Sequence, residues 1–126
     1  MTRLTILAAA MIGLAGAAQA APSDVNAQAF YADATALQKR GIGALFDKRT
    51  KLLTTQMKDA GARSRAANLA ATSAGNPIYC VPESARRGMG AQQVITILGR
   101  LSESERRSLT LMEAWKRALA REYPCR

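Results

Sequence analysis

LTLMEAWKRALAREYPCR, residues 109–126, is the stretch on which the fold turns. Thr110 and Glu113 stand three apart, the spacing of a capping box, with Leu109 before the cap and Ala114 after it placed for a hydrophobic staple. Leu111, Trp115, Ala118 and Leu119 then recur at helical intervals and make one apolar face. Glu122 falls near Trp115 and Ala118 on that face, so it is expected to pair with an arginine rather than snorkel at a frayed end. Tyr123-Pro124-Cys125 ends the helix. A capped amphipathic helix that finishes on a cysteine needs a helical partner for its face and a second cysteine for its end.

The second cysteine is Cys80, and with only two in the chain a single pairing exists. Whether the pair is oxidised depends on compartment, which the N-terminus addresses. Arg3 is the only early charge, an uncharged run rich in Leu, Ile, Ala and Gly covers 4–18, and Ala18-Gln19-Ala20 gives the small-x-small pattern of a cleavage site. A membrane span is disfavoured because ~20 apolar residues are needed and Gly13, Gly16 and Gln19 interrupt this run. Residues 1–20 are therefore expected to be a cleaved signal peptide and 21–126 a single periplasmic or secreted domain joined by Cys80–Cys125. Losing Arg3 lowers Lys plus Arg from 18 to 17 against 9 acids, a net charge of +8 on 21–126. That excess suits an anionic protein face or lipid surface, or serves only solubility. Export argues against nucleic acid.

Upstream of Cys80 two helices are expected. The first starts near Ser23 or Asp24 and stops at Gly41, with Phe30, Ala34 and Leu37 on one face and Val25, Ala29, Ala32 and Ala36 on another, as in a helix packed on two sides. Ile42-Gly43-Ala44-Leu45-Phe46 reads as an apolar turn that plugs one end of the core. The second helix covers about 49–74, with a small-residue stripe of Leu53, Met57, Ala60, Ser64, Ala67 and Ala71. Lys51, Lys58 and Arg65 recur every seven residues on the opposite face, which is either a solvated surface or a contact for an anionic one.

Downstream, Pro77 and Pro82 hold an extended link around Cys80. Residues 83–90 read as a mobile loop carrying Glu83, Arg86, Arg87 and Met89, which are the candidate partner-binding residues. The alternative is a plain linker. A third helix over 91–101 has Val94, Ile97, Leu98 and Leu101 on its apolar face, and 102–107 is a polar connector of about one helical turn. No segment alternates as a strand does, so the expected class is all-α, about four helices with one disulfide.

No catalytic constellation emerges. Histidine is absent, which removes the usual general base and zinc ligand. Caps and solvated faces explain every acid but Glu122, and Gly88-Met89-Gly90 lacks the setting and lysine of a phosphate loop. The chain reads as non-enzymatic, with no cofactor and no metal.

From Tyr79 onward the chain resembles the immunity proteins of type VI secretion amidase effectors, the Rap/Tai-type immunity domain in particular. The resemblance covers 79–126 and is carried by Tyr79-Cys80-Val81-Pro82-Glu83, Gly90 with Val94-Ile95, Leu109 with Glu113-Ala114, Ala118-Leu119 and Tyr123-Pro124-Cys125-Arg126. The segment after Glu83 is longer and more basic than the family's short glycine-led turn, and the N-terminal half shows no match. The resemblance implies an exported, helical, disulfide-bonded protein, often a homodimer, that occupies the cleft of a peptidoglycan-cutting amidase. The competing expectation is a structural or stress-related envelope protein that binds anionic surfaces, including the membrane surface.

Overall fold

The computed structural model describes residues 19–87 and 89–126, so all but the end of the expected signal peptide lies outside the described residues. Among the described residues six α-helices follow one another: α1 Ala27–Lys39, α2 Lys48–Ser73, α3 Glu83–Arg86, α4 Ala91–Gly99, α5 Glu103–Ser108 and α6 Leu111–Glu122. Short 3-10 turns at Pro22–Asp24 and Gly41–Phe46 precede α1 and α2. The fold is all-α; among the described residues there is no strand, only one isolated bridge between Asn26 and Thr110.

Helix α6 is the hub. It packs against α1, α2, α4 and α5, and its face of Leu111, Ala114, Trp115, Ala118 and Leu119 is buried throughout. The small residues of the α2 stripe let the two backbones approach: Ala60 and Ser64 are fully buried, Leu53 nearly so, and Met57, Ala67 and Ala71 partly. Ser64 is the cost of that closeness, because its hydroxyl is the one buried side-chain polar atom among the described residues that has no partner. Leu98, Leu101 and Leu111 complete the centre.

The ends of the helices are fixed by their own chemistry. Thr110 and Glu113 close the capping box on α6, and Ser102 and Glu105 close another on α5. Helix α2 ends in a Schellman motif, with Gly75 at φ +81°, Gly75 N–H donating to Thr72 and Asn76 N–H to Ala71. The Asn26–Thr110 bridge ties the starts of α1 and α6 through Ala27 N–H to Leu109 O (3.0 Å) and Leu111 N–H to Val25 O (2.8 Å). Glu122 pairs with Arg100, so the misfit on the α6 face is matched as expected.

Three expectations are corrected. Helix α1 begins after Asn26, whose side chain accepts from the Gln28 and Ala29 amides, because Ser23 and Asp24 are drawn into the 3-10 turn by contacts to α2. Its second face stays in solvent: Ala29, Ala32 and Ala36 are exposed, alanine offering too little area to demand cover. The Gly41–Phe46 turn does not plug the core, since Ile42, Leu45 and Phe46 stand outside it.

The acids that lock these elements should make the fold acid-sensitive. Glu105 is held down to about 2 by the Arg121 guanidinium and the Ser102 amide. Asp59 is lowered by the Ser23 hydroxyl and amide, Asp24 by Arg63, and Asp47 by Arg49. Unfolded carboxylates take up protons near pH ~4, so this stabilisation is whole above that pH and drains as pH falls toward the folded values. The melting temperature should stay level from about pH 7 to about pH 5 and drop below about pH 4. Glu105→Gln should lower it at neutral pH and shrink the drop; an unchanged acid limb would remove Glu105 from this account.

Candidate binding cleft

The disulfide forms between Cys80 and Cys125, with Cα atoms 5.0 Å apart. It is one of three restraints on the extended link before α3. Asn68 of α2 clamps the same segment, its side-chain oxygen accepting from Ile78 N–H (2.8 Å) and Tyr79 N–H (3.1 Å) while its amide donates to Tyr79 O (3.0 Å). Cys80 N–H donates to Tyr123 O at 2.9 Å. Asparagine provides both donor and acceptor to an irregular backbone that has no ladder of its own. Tyr79 is thereby locked, 7 % exposed, against α2.

Beside the link, α2 and α4 each touch α1 but do not meet one another. A cleft of about 990 Å³ runs between them, floored by Phe30, Leu37, Leu53, Trp115 and Leu119. Met57, Leu69, Val81, Val94 and Ile95 continue the apolar wall. Three cations, Lys58, Arg65 and Arg86, also line it, and no carboxylate does. None of the three pairs with an acid among the described residues, whereas Arg40, Arg49, Arg63, Arg100, Arg107 and Arg121 all do. Burial raises the Tyr79 phenol above its usual value while the positive charges of Arg65 and Arg86 pull it the other way. Tyr79 thus sits where both arginines act.

The cleft gathers two groups of residues that the sequence keeps far apart. Of the candidate partner-binding residues, Arg86 and Met89 line it, whereas Glu83 and Arg87 are exposed and do not. Of the basic stripe, Lys58 and Arg65 border it and Lys51 does not; all three are exposed, as a solvated face requires. The segment 83–90 is also more shaped than a mobile loop: Pro82 starts the single turn α3, with Ala85 N–H and Arg86 N–H bonded to Pro82 O. Gly88 lies outside the described residues.

Asn68 escaped notice in the sequence because one polar residue in a polar helix carries no pattern. Its fit to the link exists only once α2 and the link are packed. The apolar lining was visible as helix faces, but a face with no residue to fill it leaves no trace in periodicity.

Among the described residues, no helix is long and apolar enough to cross a membrane. No family model, no curated protein and no solved structure matches the chain, so what it does is read from the cleft and the charges around it.

Proposed function

We propose that the protein is an exported, non-enzymatic binding protein whose cleft seats an apolar segment of a protein partner flanked by acidic side chains. The observation that carries this reading is the lining itself: apolar floor and wall, three cations without acidic partners, and no acid. A site of that make-up rewards apolar area and penalises a basic neighbour. The volume is at the upper end of small-ligand pockets, which run to about 1,000 Å³, and the open side admits a helix or an extended chain. The Cys80–Cys125 disulfide suits an oxidising compartment and so supports export. The resemblance over 79–126 makes a peptidoglycan-cutting amidase the first partner to test.

A photoreactive residue in place of Leu69, which lines the cleft and is 63 % exposed, reports the occupant directly. Expressed in the envelope, it should form one protein adduct, and a probe at the exposed Arg117 should not. Arg65→Glu with Arg86→Glu should weaken the captured complex by at least ~30-fold, about 2 kcal/mol, with little change in melting temperature. If the captured protein is an amidase, the unaltered chain should suppress its peptidoglycan cleavage and the double variant should not. Adducts from Arg117 with none from Leu69 would put the binding surface elsewhere.

A further inference from the structure

The Gly41–Phe46 turn is a built feature that holds apolar side chains in solvent. Gly41, at φ +56°, ends α1 and turns the chain outward. Gly43 N–H then donates to Arg40 O (3.2 Å), Asp47 N–H to Ala44 O (3.1 Å), and the Thr50 hydroxyl donates to the same Ala44 carbonyl. Residues three apart share a face in a 3-10 turn, so Ile42 and Leu45 stand together and Phe46 follows. They are 78, 75 and 86 % exposed, and they supply three of the five large exposed apolar side chains among the described residues. Ala44 alone in the turn packs against the core.

A collar of positive charge surrounds this tip. Between positions 39 and 51 lie Lys39, Arg40, Lys48, Arg49 and Lys51 against the single Asp47, a net charge of +4. Asp47 is engaged by Arg40 and Arg49, and its side chain also caps α2. Lys39, Lys48 and Lys51 pair with no acid among the described residues and are exposed. All five cations sit on the helix ends that flank the turn.

We infer that the Gly41–Phe46 turn docks the protein on an anionic lipid bilayer, with Ile42, Leu45 and Phe46 entering the headgroup boundary and the collar meeting lipid phosphates. A narrow apolar tip inside a net-positive collar matches the layered polarity of a bilayer surface. The inference does not depend on the cleft: of the turn only Gly41 and Ala44 reach the cleft, and its three large side chains do not.

The purified disulfide-bonded chain, mixed with phosphatidylethanolamine vesicles containing about one-third phosphatidylglycerol, should co-sediment, and should fail to do so with phosphatidylcholine alone. Phe46→Trp should shift its emission to the blue on the anionic vesicles. The triple variant Ile42→Ser, Leu45→Ser, Phe46→Ser should keep its melting temperature and the Leu69 adduct but bind these vesicles at least ~10-fold more weakly, as loss of buried apolar area requires. Lys48→Gln with Lys51→Gln should weaken binding and flatten its salt dependence. Vesicle binding equal in the triple variant overturns the inference, as does no binding by the unaltered chain. A lipid-free dimer that the triple variant splits into monomers also overturns it, because a second copy then covers the tip. Arg65→Glu with Arg86→Glu should leave vesicle binding in place, so failure of the cleft reading and failure of this one give different results.

Discussion

Exchanging Cys125 for Ser should lower folding stability by about 2–4 kcal/mol, and reducing the native disulfide should do the same. The bond closes a loop of 45 positions. Chain-entropy arithmetic for that length gives ~4 kcal/mol, and measured cases fall at or below such values. For a domain of this size, whose whole stability is about 5–10 kcal/mol, that is a large fraction. The loss should appear in urea unfolding as a lower midpoint together with a steeper slope, because the uncrosslinked unfolded chain exposes more surface. The slope separates this cause from simple damage to the folded state, which would move the midpoint alone. Equal midpoints for oxidised chain, reduced chain and Cys125→Ser would mean that the bond contributes nothing. A functional loss should accompany the thermodynamic one. The link around Cys80 is held on three sides, by the disulfide, by Asn68 and by the Cys80–Tyr123 backbone bond. With the first removed, Tyr79 and Arg86 lose part of their placement, and partner capture from Leu69 should weaken as well.

Much of the helical frame was legible because local chemistry writes it. The Thr110–Glu113 box is settled within a few residues and the small-residue stripe of α2 by its helical spacing, and both are observed as the spacing implies. Glu122 was legible for a different reason: a carboxylate on a buried face requires a cation nearby, and Arg100 supplies it. What failed was inference from apolarity to burial. Ile42, Leu45 and Phe46 are as apolar as any core residue, yet the Gly41 turn aims them away from α6, and composition has no record of direction. The mirror case is Lys58 and Arg65, exposed as their charge suggests yet beside a groove that α4 stops short of covering. Cleft and tip are both places where the chain leaves apolar surface open beside unpaired cations. They differ in shape: one is concave and takes a segment inward, the other is convex and presents side chains outward. A protein held on a membrane by its tip would keep α2 and the cleft on its flank, available to an envelope partner.

Removal of the Arg106 side chain should cost about 3 kcal/mol, although the sequence places it in a polar connector. Arg106 is 7 % exposed and has no carboxylate partner among the described residues. Its charge is met instead by backbone and ring. The guanidinium donates to the carbonyls of Leu101 and Leu98 at the end of α4, and to Gln28 on α1 at 2.7 Å. It also lies over the Tyr31 ring, 4.0 Å from the centroid. Leu98 O, in the last turn of α4, also accepts from Leu101 N–H (3.2 Å), and Leu101 O lies just past the helix end; a planar cation suits this negative end and the Tyr31 ring beside it. The arrangement extends to Gly99, where an added Cβ would fall 2.9 Å from the Tyr31 hydroxyl. Arg107, one residue on, is exposed and reaches only Glu103 at 2.8 Å. The phase of α5, a helix of six residues, is all that separates the two. In urea unfolding, Arg106→Ala should therefore lose about 3 kcal/mol, the cost of orphaned buried acceptors and a vacated ring face, while Arg107→Ala changes stability by less than ~0.5 kcal/mol. Arg106→Lys should recover less than half of the loss, since an ammonium has neither the fork nor the flat face. Equal effects at 106 and 107 would mean that α5 is rotated from this phase, and the junction of α1, α4 and α5 would then have to be held by Leu98 and Leu101 packing alone.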